Sequence, residues 1–103
     1  MFTLSEENYL KAIYHLEAFS GKGISTNAIA EKVDAKASSV TDMVKKLADK
    51  EVLFYKKYRG VTLSDLGNKI AISVIRKHRL WELFLVEKLN FSWDEVHDVA
   101  EQL

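Results

Sequence analysis

The segment Val52–Leu63, VLFYKKYRGVTL, is the feature that most constrains the fold. On either side of it, apolar residues recur at helical spacing. Here they give way to a run rich in Val, Leu, Phe and Tyr, interrupted by Lys56, Lys57 and Arg59 just before Gly60. That pattern reads as two short strands around a basic turn. A lone hairpin set among helices predicts a mainly α protein with a small β-hairpin wing.

Three helices are expected before the hairpin. The first opens at Leu4-Ser5-Glu6-Glu7, with Ser5 as its N-cap, continues through Leu10, Ile13, Tyr14 and Leu16, and ends at SGKG, Ser20 to Gly23. Ser25 or Thr26 caps a short second helix carrying Ile29, Ala30 and Val33. Asp34-Ala35-Lys36 connects it to a third helix, capped near Ser38 or Ser39, with Val40, Met43, Val44 and Leu47 along its apolar face. The second and third helices have the size and spacing of a helix-turn-helix. Ala30 is small where the two must approach, and Asp34 tolerates a left-handed turn conformation better than most residues. After the hairpin, Ser64 caps a long helix reaching about Leu89. Asn90 closes it, Ser92 caps the next, and a last helix starts near Trp93. The expected organisation is a winged-helix domain at 1–63 and a helical region at 64–103.

Charge sharpens this reading. The chain of 103 residues is formally neutral, but 36–59 holds seven basic and three acidic side chains, while both flanks are net acidic. By itself a basic stretch reads more readily as a solvated face than as an anion-binding one. Combined with helix-turn-helix spacing and a basic wing, it points to duplex DNA. The beginning of the third helix, Lys36, Ala37, Ser38, Ser39 and Thr41, offers small side chains for close approach and hydroxyls for phosphates or bases. Thr26 and Asn27 open the second helix. Lys45, Lys46 and Lys50 on the third helix, and Lys56, Lys57 and Arg59 on the wing, supply backbone contacts.

Two His-x-x-x-Glu pairs follow, His78 with Glu82 and His97 with Glu101. Residues four apart share a helix face, so each pair sets an imidazole beside a carboxylate. Such donors suit Mn2+, Fe2+, Co2+, Ni2+ or Zn2+. They are equally compatible with two surface ion pairs, and the residues alone leave both readings open. The chain has no cysteine, which excludes a disulfide scaffold and a thiolate metal site. With no phosphate loop and no nucleophile in a recognisable motif, an enzyme is not expected. No apolar run approaches a membrane span, and MFTLSEENYL lacks a signal-peptide layout, so the expected location is the cytoplasm.

The stretches SEENYLKAIYHLE, IAEKVDAKASSVTDMVKKLADKEVL, YRGVTLSDLGNKIA, RKHRLWELFLVEKL and SWDEVHDVAEQL together resemble the metal-dependent winged-helix repressors typified by the diphtheria toxin repressor and the manganese transport regulator. The resemblance implies a winged helix followed by a helical metal-binding and dimerisation domain. It implies a homodimer that binds a palindromic operator when loaded with Mn2+ or Fe2+, with Zn2+, Co2+ or Ni2+ as in vitro substitutes, and that represses metal-uptake genes. No membrane or small organic substrate is expected. On this resemblance His78, Glu82 and His97 fall on one metal site and Glu101 on a ligand of a second. Asn8 falls on the first-helix ligand, where manganese-type members carry Asp, and Lys11 falls where they carry a second carboxylate. The family pattern continues past Leu103 into Glu-His, so the helical domain is expected to be incomplete at its C-terminus. Two alternatives remain open at this point: a winged-helix module with structural His/Glu pairs and metal-independent DNA binding, and a protein-interaction module.

Overall fold

The structure, a computed structural model, describes residues 2–89 and 92–102, with side chains at all of these except 89, 93 and 102. Five helices and one hairpin are described: α1 (Leu4–Ser20), α2 (Thr26–Val33), α3 (Ala37–Asp49), β1 (Leu53–Lys56), β2 (Gly60–Leu63), α4 (Asp65–Leu89) and α5 (Trp93–Gln102). This is the mainly α winged helix-turn-helix arrangement that the sequence predicts. Asn90, expected to close α4, lies outside the described residues.

The helix ends show how local chemistry sets the boundaries. α1 starts two residues earlier than its expected cap allows. Thr3, not Ser5, is the N-cap: its hydroxyl accepts from Glu6 N at 3.1 Å, and the Glu6 carboxylate accepts from Thr3 N at 2.8 Å, a reciprocal capping box. Ser25 caps α2 by accepting from Ala28 N at 3.0 Å. Asp34 ends α2 in the left-handed region, φ 56°, as its side chain permits. α3 departs from expectation. Its N-cap is Lys36, which makes no side-chain capping bond, and Ser38 and Ser39 lie inside the first turn. Ser64 caps α4 by accepting from Gly67 N at 3.1 Å, and Ser92 caps α5 by accepting from Glu95 N at 3.3 Å.

Contacts divide the chain into two compact units, Met1–Ala71 and Ile72–Leu103, and the division falls within α4. In the first, Leu10 and Ile13 of α1, Ile29 of α2, Val40, Val44 and Leu47 of α3, and Val52, Leu53, Val61 and Leu63 of the hairpin form one buried cluster, joined by Ala71. Each comes from the inward face of its element, so the amphipathic spacing is what assembles the core. β1 and β2 pair antiparallel with Leu53 opposite Leu63 and Lys56 opposite Gly60. Ile24 adds a further bridge to Val61, with reciprocal bonds of 2.8 and 2.7 Å. α1 is tied to this sheet by Glu17, whose carboxylate accepts from Leu63 N at 3.0 Å.

Two close backbone approaches fix the root of the wing. A Cβ on Gly67 would stand 1.9 Å from the Val52 carbonyl oxygen, so α4 can pass the end of α3 only with glycine there. Gly60 has φ +80°, and a Cβ on it would lie 2.6 Å from the Ile24 carbonyl oxygen. Beyond this root the hairpin leaves the core: Phe54, Tyr55 and Lys56 are all exposed.

In the second unit, α4 carries the buried residues Val74, His78 and Leu85, and α5 carries Val96 and Ala100. No helix among the described residues is long and apolar enough to cross a membrane.

Candidate DNA interface and metal ligands

The first unit presents its polar groups on the wing and at the start of α3. Lys36, Ala37, Ser38 and Ser39 are all exposed there. Because Lys36 provides no side-chain cap, the first N–H groups of α3 lack a side-chain acceptor, and the positive end of the helix dipole stands open to an anion. Thr41, one turn on, is half-buried, and its hydroxyl donates to the Ala37 carbonyl at 3.1 Å. At the start of α2, Thr26 is half-buried and Asn27 exposed.

The cations divide into two groups. Lys45, Lys56, Lys57 and Arg59 are exposed. Lys50, expected to contact a nucleic-acid backbone, is instead committed to the protein: its Nζ lies 2.7 Å from the carboxylate of Glu6. Lys46 Nζ is 3.9 Å from the same carboxylate and remains largely exposed. Glu6 is fully buried and ionised. The Lys50 ammonium, the Thr3 N–H and the charges of both lysines outweigh the cost of burial and hold its carboxyl down at about 2. Glu6 therefore fastens the first turn of α1 to the last turn of α3. Sequence reading missed this role. The one local signal is an acid in the first turn of a helix, which the helix dipole favours whether or not it is buried.

The wing turn runs Lys56-Lys57-Tyr58-Arg59, closed by Arg59 N donating to the Lys56 carbonyl at 3.0 Å. A cleft of about 240 Å3 lies where the wing meets the start of α2, lined by Ser25, Thr26, Tyr55, Lys56, Tyr58 and Arg59 among others.

The candidate metal ligands fall in both units and are described in each separately. In the second, His78 is buried on α4, and its Nδ1 lies 3.7 Å from Oε1 of Glu101 on α5. Glu82 and Glu101 are half-buried and His97 is exposed. The imidazole–carboxylate approach seen among the described residues crosses between the two i, i+4 pairs. It joins the histidine of the first pair to the glutamate of the second, a contact made by packing α5 on α4. Among the described residues no group of three or more His, Asp or Glu side chains is gathered into a shape ready to hold a metal ion. In the first unit, the carboxamide oxygen of Asn8 is buried and accepts no hydrogen bond among the described residues. A buried oxygen left in this state costs free energy that a cation would recover. These donors fit a divalent transition metal in chemical kind: imidazole nitrogen, carboxylate oxygen and a neutral amide oxygen, with no thiolate.

Helix-turn-helix, hairpin wing and a following helical region define a winged-helix protein with the surface of a nucleic-acid binder. The chain belongs to the iron-dependent repressor family. Residues 1–61 match the iron dependent repressor N-terminal DNA binding domain, and residues 64–103 match the metal binding and dimerisation domain of the same repressors. The family consists of transcriptional repressors rather than enzymes. A curated relative, the HTH-type transcriptional regulator MntR of Oceanobacillus iheyensis, is 40% identical over 102 residues, which cover 98% of this chain and 67% of that protein. The diphtheria toxin repressor of Corynebacterium jeikeium is 37% identical, over 91% of this chain and 39% of its own length. Among solved structures, that of the manganese regulator SloR superposes with a TM-score of 0.80 at 43% identity, covering 94% of this chain and 45% of that one. The chain thus spans less than half the length of that solved relative.

Proposed function

We propose that this chain is the DNA-binding and metal-responsive part of a cytoplasmic transcriptional repressor that binds a palindromic operator as a homodimer when loaded with Mn2+ or Fe2+ and restrains genes for metal uptake. The observation that carries the DNA half is the uncapped, exposed start of α3 beside a wing bearing Lys56, Lys57 and Arg59. Ser38 and Ser39 meet base edges or phosphates, Ala37 allows close approach, and Lys36, Lys45, Lys46, Lys56, Lys57 and Arg59 neutralise phosphates. Thr26 and Asn27 contact the backbone beside the α2 N-terminus.

The metal half rests on His78, Glu82, His97, Glu101 and Asn8. Asn8 supplies a neutral oxygen where a carboxylate would add a charge, and Lys11 adds a cation on the same helix. Both changes lower the negative charge of the ligand set and favour weaker, more readily reversed binding of a hard divalent ion. A bound divalent cation supplies a fixed positive charge that neutralises carboxylates otherwise repelling one another. His78 and Glu101 supply a nitrogen and an oxygen already held together by the packing of α5 on α4. Dimerisation is supported by an apolar strip on α4, where Leu80, Trp81, Leu83 and Phe84 are exposed. Leu85, next to Phe84 on the same helix, is buried within its own unit.

The test is fluorescence anisotropy against duplexes selected from a random pool, with Mn2+, Fe2+ or chelator. Selective binding to a palindrome, strengthened at least tenfold by metal, is the expected result. A second reading, metal-independent DNA binding, is favoured by one observation: no three-ligand group is assembled among the described residues. Equal affinity in metal and in chelator would select it.

A further inference from the structure

We propose that Tyr58, at the tip of the wing, is a DNA-contacting residue whose ring packs on a deoxyribose of the duplex backbone while Lys56 and Arg59 hold the adjoining phosphates. The proposal rests on the DNA-binding reading above and deepens it, since that reading gives the wing only electrostatic contacts.

Three observations converge on this residue. Tyr58 is 95% exposed, so its ring contributes almost nothing to the core. Its backbone sits at φ +70°, in the left-handed region that glycine or asparagine adopts with little strain and a large L-residue does not. The turn is closed by the Arg59 N–H donating to the Lys56 carbonyl, a backbone bond that makes no demand for an aromatic side chain at 58. The position therefore carries both strain and an exposed ring that contributes nothing to the core, a combination expected at a recognition site.

The surroundings identify the ligand. Tyr58 stands in the sequence Tyr55-Lys56-Lys57-Tyr58-Arg59, with cations on each side. The Lys57 ammonium lies 5.4 Å from the centre of the Tyr58 ring, which keeps a positive charge beside it. With Lys56 and Arg59 the tyrosine lines the cleft that Ser25 and Thr26, at the start of α2, also line. A polyanion with apolar faces between its charges matches that combination of ring, cations and hydroxyls: phosphates meet lysine, arginine and hydroxyls, and the sugar between them meets the ring. Free phosphate would use the cations and leave the ring idle.

The charged and apolar contributions separate in the laboratory. The probe is a 30-base-pair duplex of random sequence, titrated by anisotropy over a range of salt with the full chain and its Tyr58→Gly, Tyr58→Phe and Lys56→Ala/Arg59→Ala variants. Tyr58→Gly is expected to weaken binding about tenfold at every salt concentration, leaving the slope of log affinity against log salt unchanged, because no cation is lost. Its melting temperature should equal or exceed that of the parent, since glycine relieves the turn. Tyr58→Phe should bind within about twofold of the parent. Lys56→Ala/Arg59→Ala should reduce the salt slope by about two. Undiminished binding by Tyr58→Gly, or a loss in Tyr58→Phe as large as in Tyr58→Gly, overturns the ring contact while leaving the DNA-binding reading intact. Absence of duplex binding by the parent at low salt overturns both.

Discussion

Glu6 shows how a single side chain can serve local and tertiary structure together. Its Oε1 completes the capping box of α1 and its Oε2 receives Lys50 from the end of α3. Removing one partner from a buried pair is costly. Lys50 retains partial access to water, which moderates the loss, so Glu6→Gln should lower stability by about 1–3 kcal/mol. The pH dependence has a definite sign. The folded carboxyl titrates at about 2 against an ordinary value of 4.5, so its stabilisation is complete above pH 4.5 and is lost as pH falls from 4.5 toward 2. Thermal unfolding of parent and Glu6→Gln should therefore diverge above pH 4.5 and converge near pH 2; a constant gap across that range would contradict the assignment. Gly67 is the second residue with a sharp prediction. The Val52 carbonyl leaves no room for a methyl group, so Gly67→Ala should cost about 2–3 kcal/mol in urea unfolding, despite the better helix propensity of alanine.

At the scale of elements, α3 and the wing should behave differently when changed. Replacing Lys56, Lys57 and Arg59 together by Ala should weaken binding to all duplexes and reduce the salt slope by about three. Ser38 and Thr41 bear on sequence preference, and their geometry separates them. The Ser38 side chain is exposed in an uncapped first turn, whereas the Thr41 hydroxyl already donates to Ala37. Ser38→Ala should shift the preferred sites recovered from a random duplex pool, and Thr41→Ala should shift them less. The reverse ranking would mean that Thr41 releases its backbone bond on meeting DNA.

At the scale of the whole molecule, the questions are association and metal. Leu80 and Phe84 lie on one α4 face, four residues apart, and Leu80 is 67% exposed. Placing Glu at both should shift sedimentation from dimer to monomer at tens of micromolar with little change in the unfolding of the first unit; a parent that is already monomeric would remove the basis for dimerisation through this strip. Calorimetric titration with Mn2+ should give binding that His78→Ala weakens by at least tenfold. Identical isotherms for the parent, His78→Ala and His97→Ala would reduce the His/Glu pairs to ion pairs.

The sequence by itself determined the class of fold, because the signals involved are local. Helical spacing, the Ser25, Ser64 and Ser92 caps, Asp34 in the turn and the change of pattern at Val52 each act within a few residues, so they can be read without knowing what packs where. It also settled which side chains could carry function, since the wing cations and the His/Glu spacing are properties of composition and register. Only the tertiary structure decided which of these are spoken for. Lys50 reads as one more basic residue until α1 delivers a buried carboxylate to it from 44 positions away. Ser38 and Ser39 read as caps until the helix starts at Ala37, ahead of both. His78 pairs in sequence with Glu82, and α5 brings it Glu101 as well. For Lys50 and His78 the deciding partner comes from another element. Burial and charge pairing across elements depend on the packed fold, and no pattern of spacing along one segment encodes them.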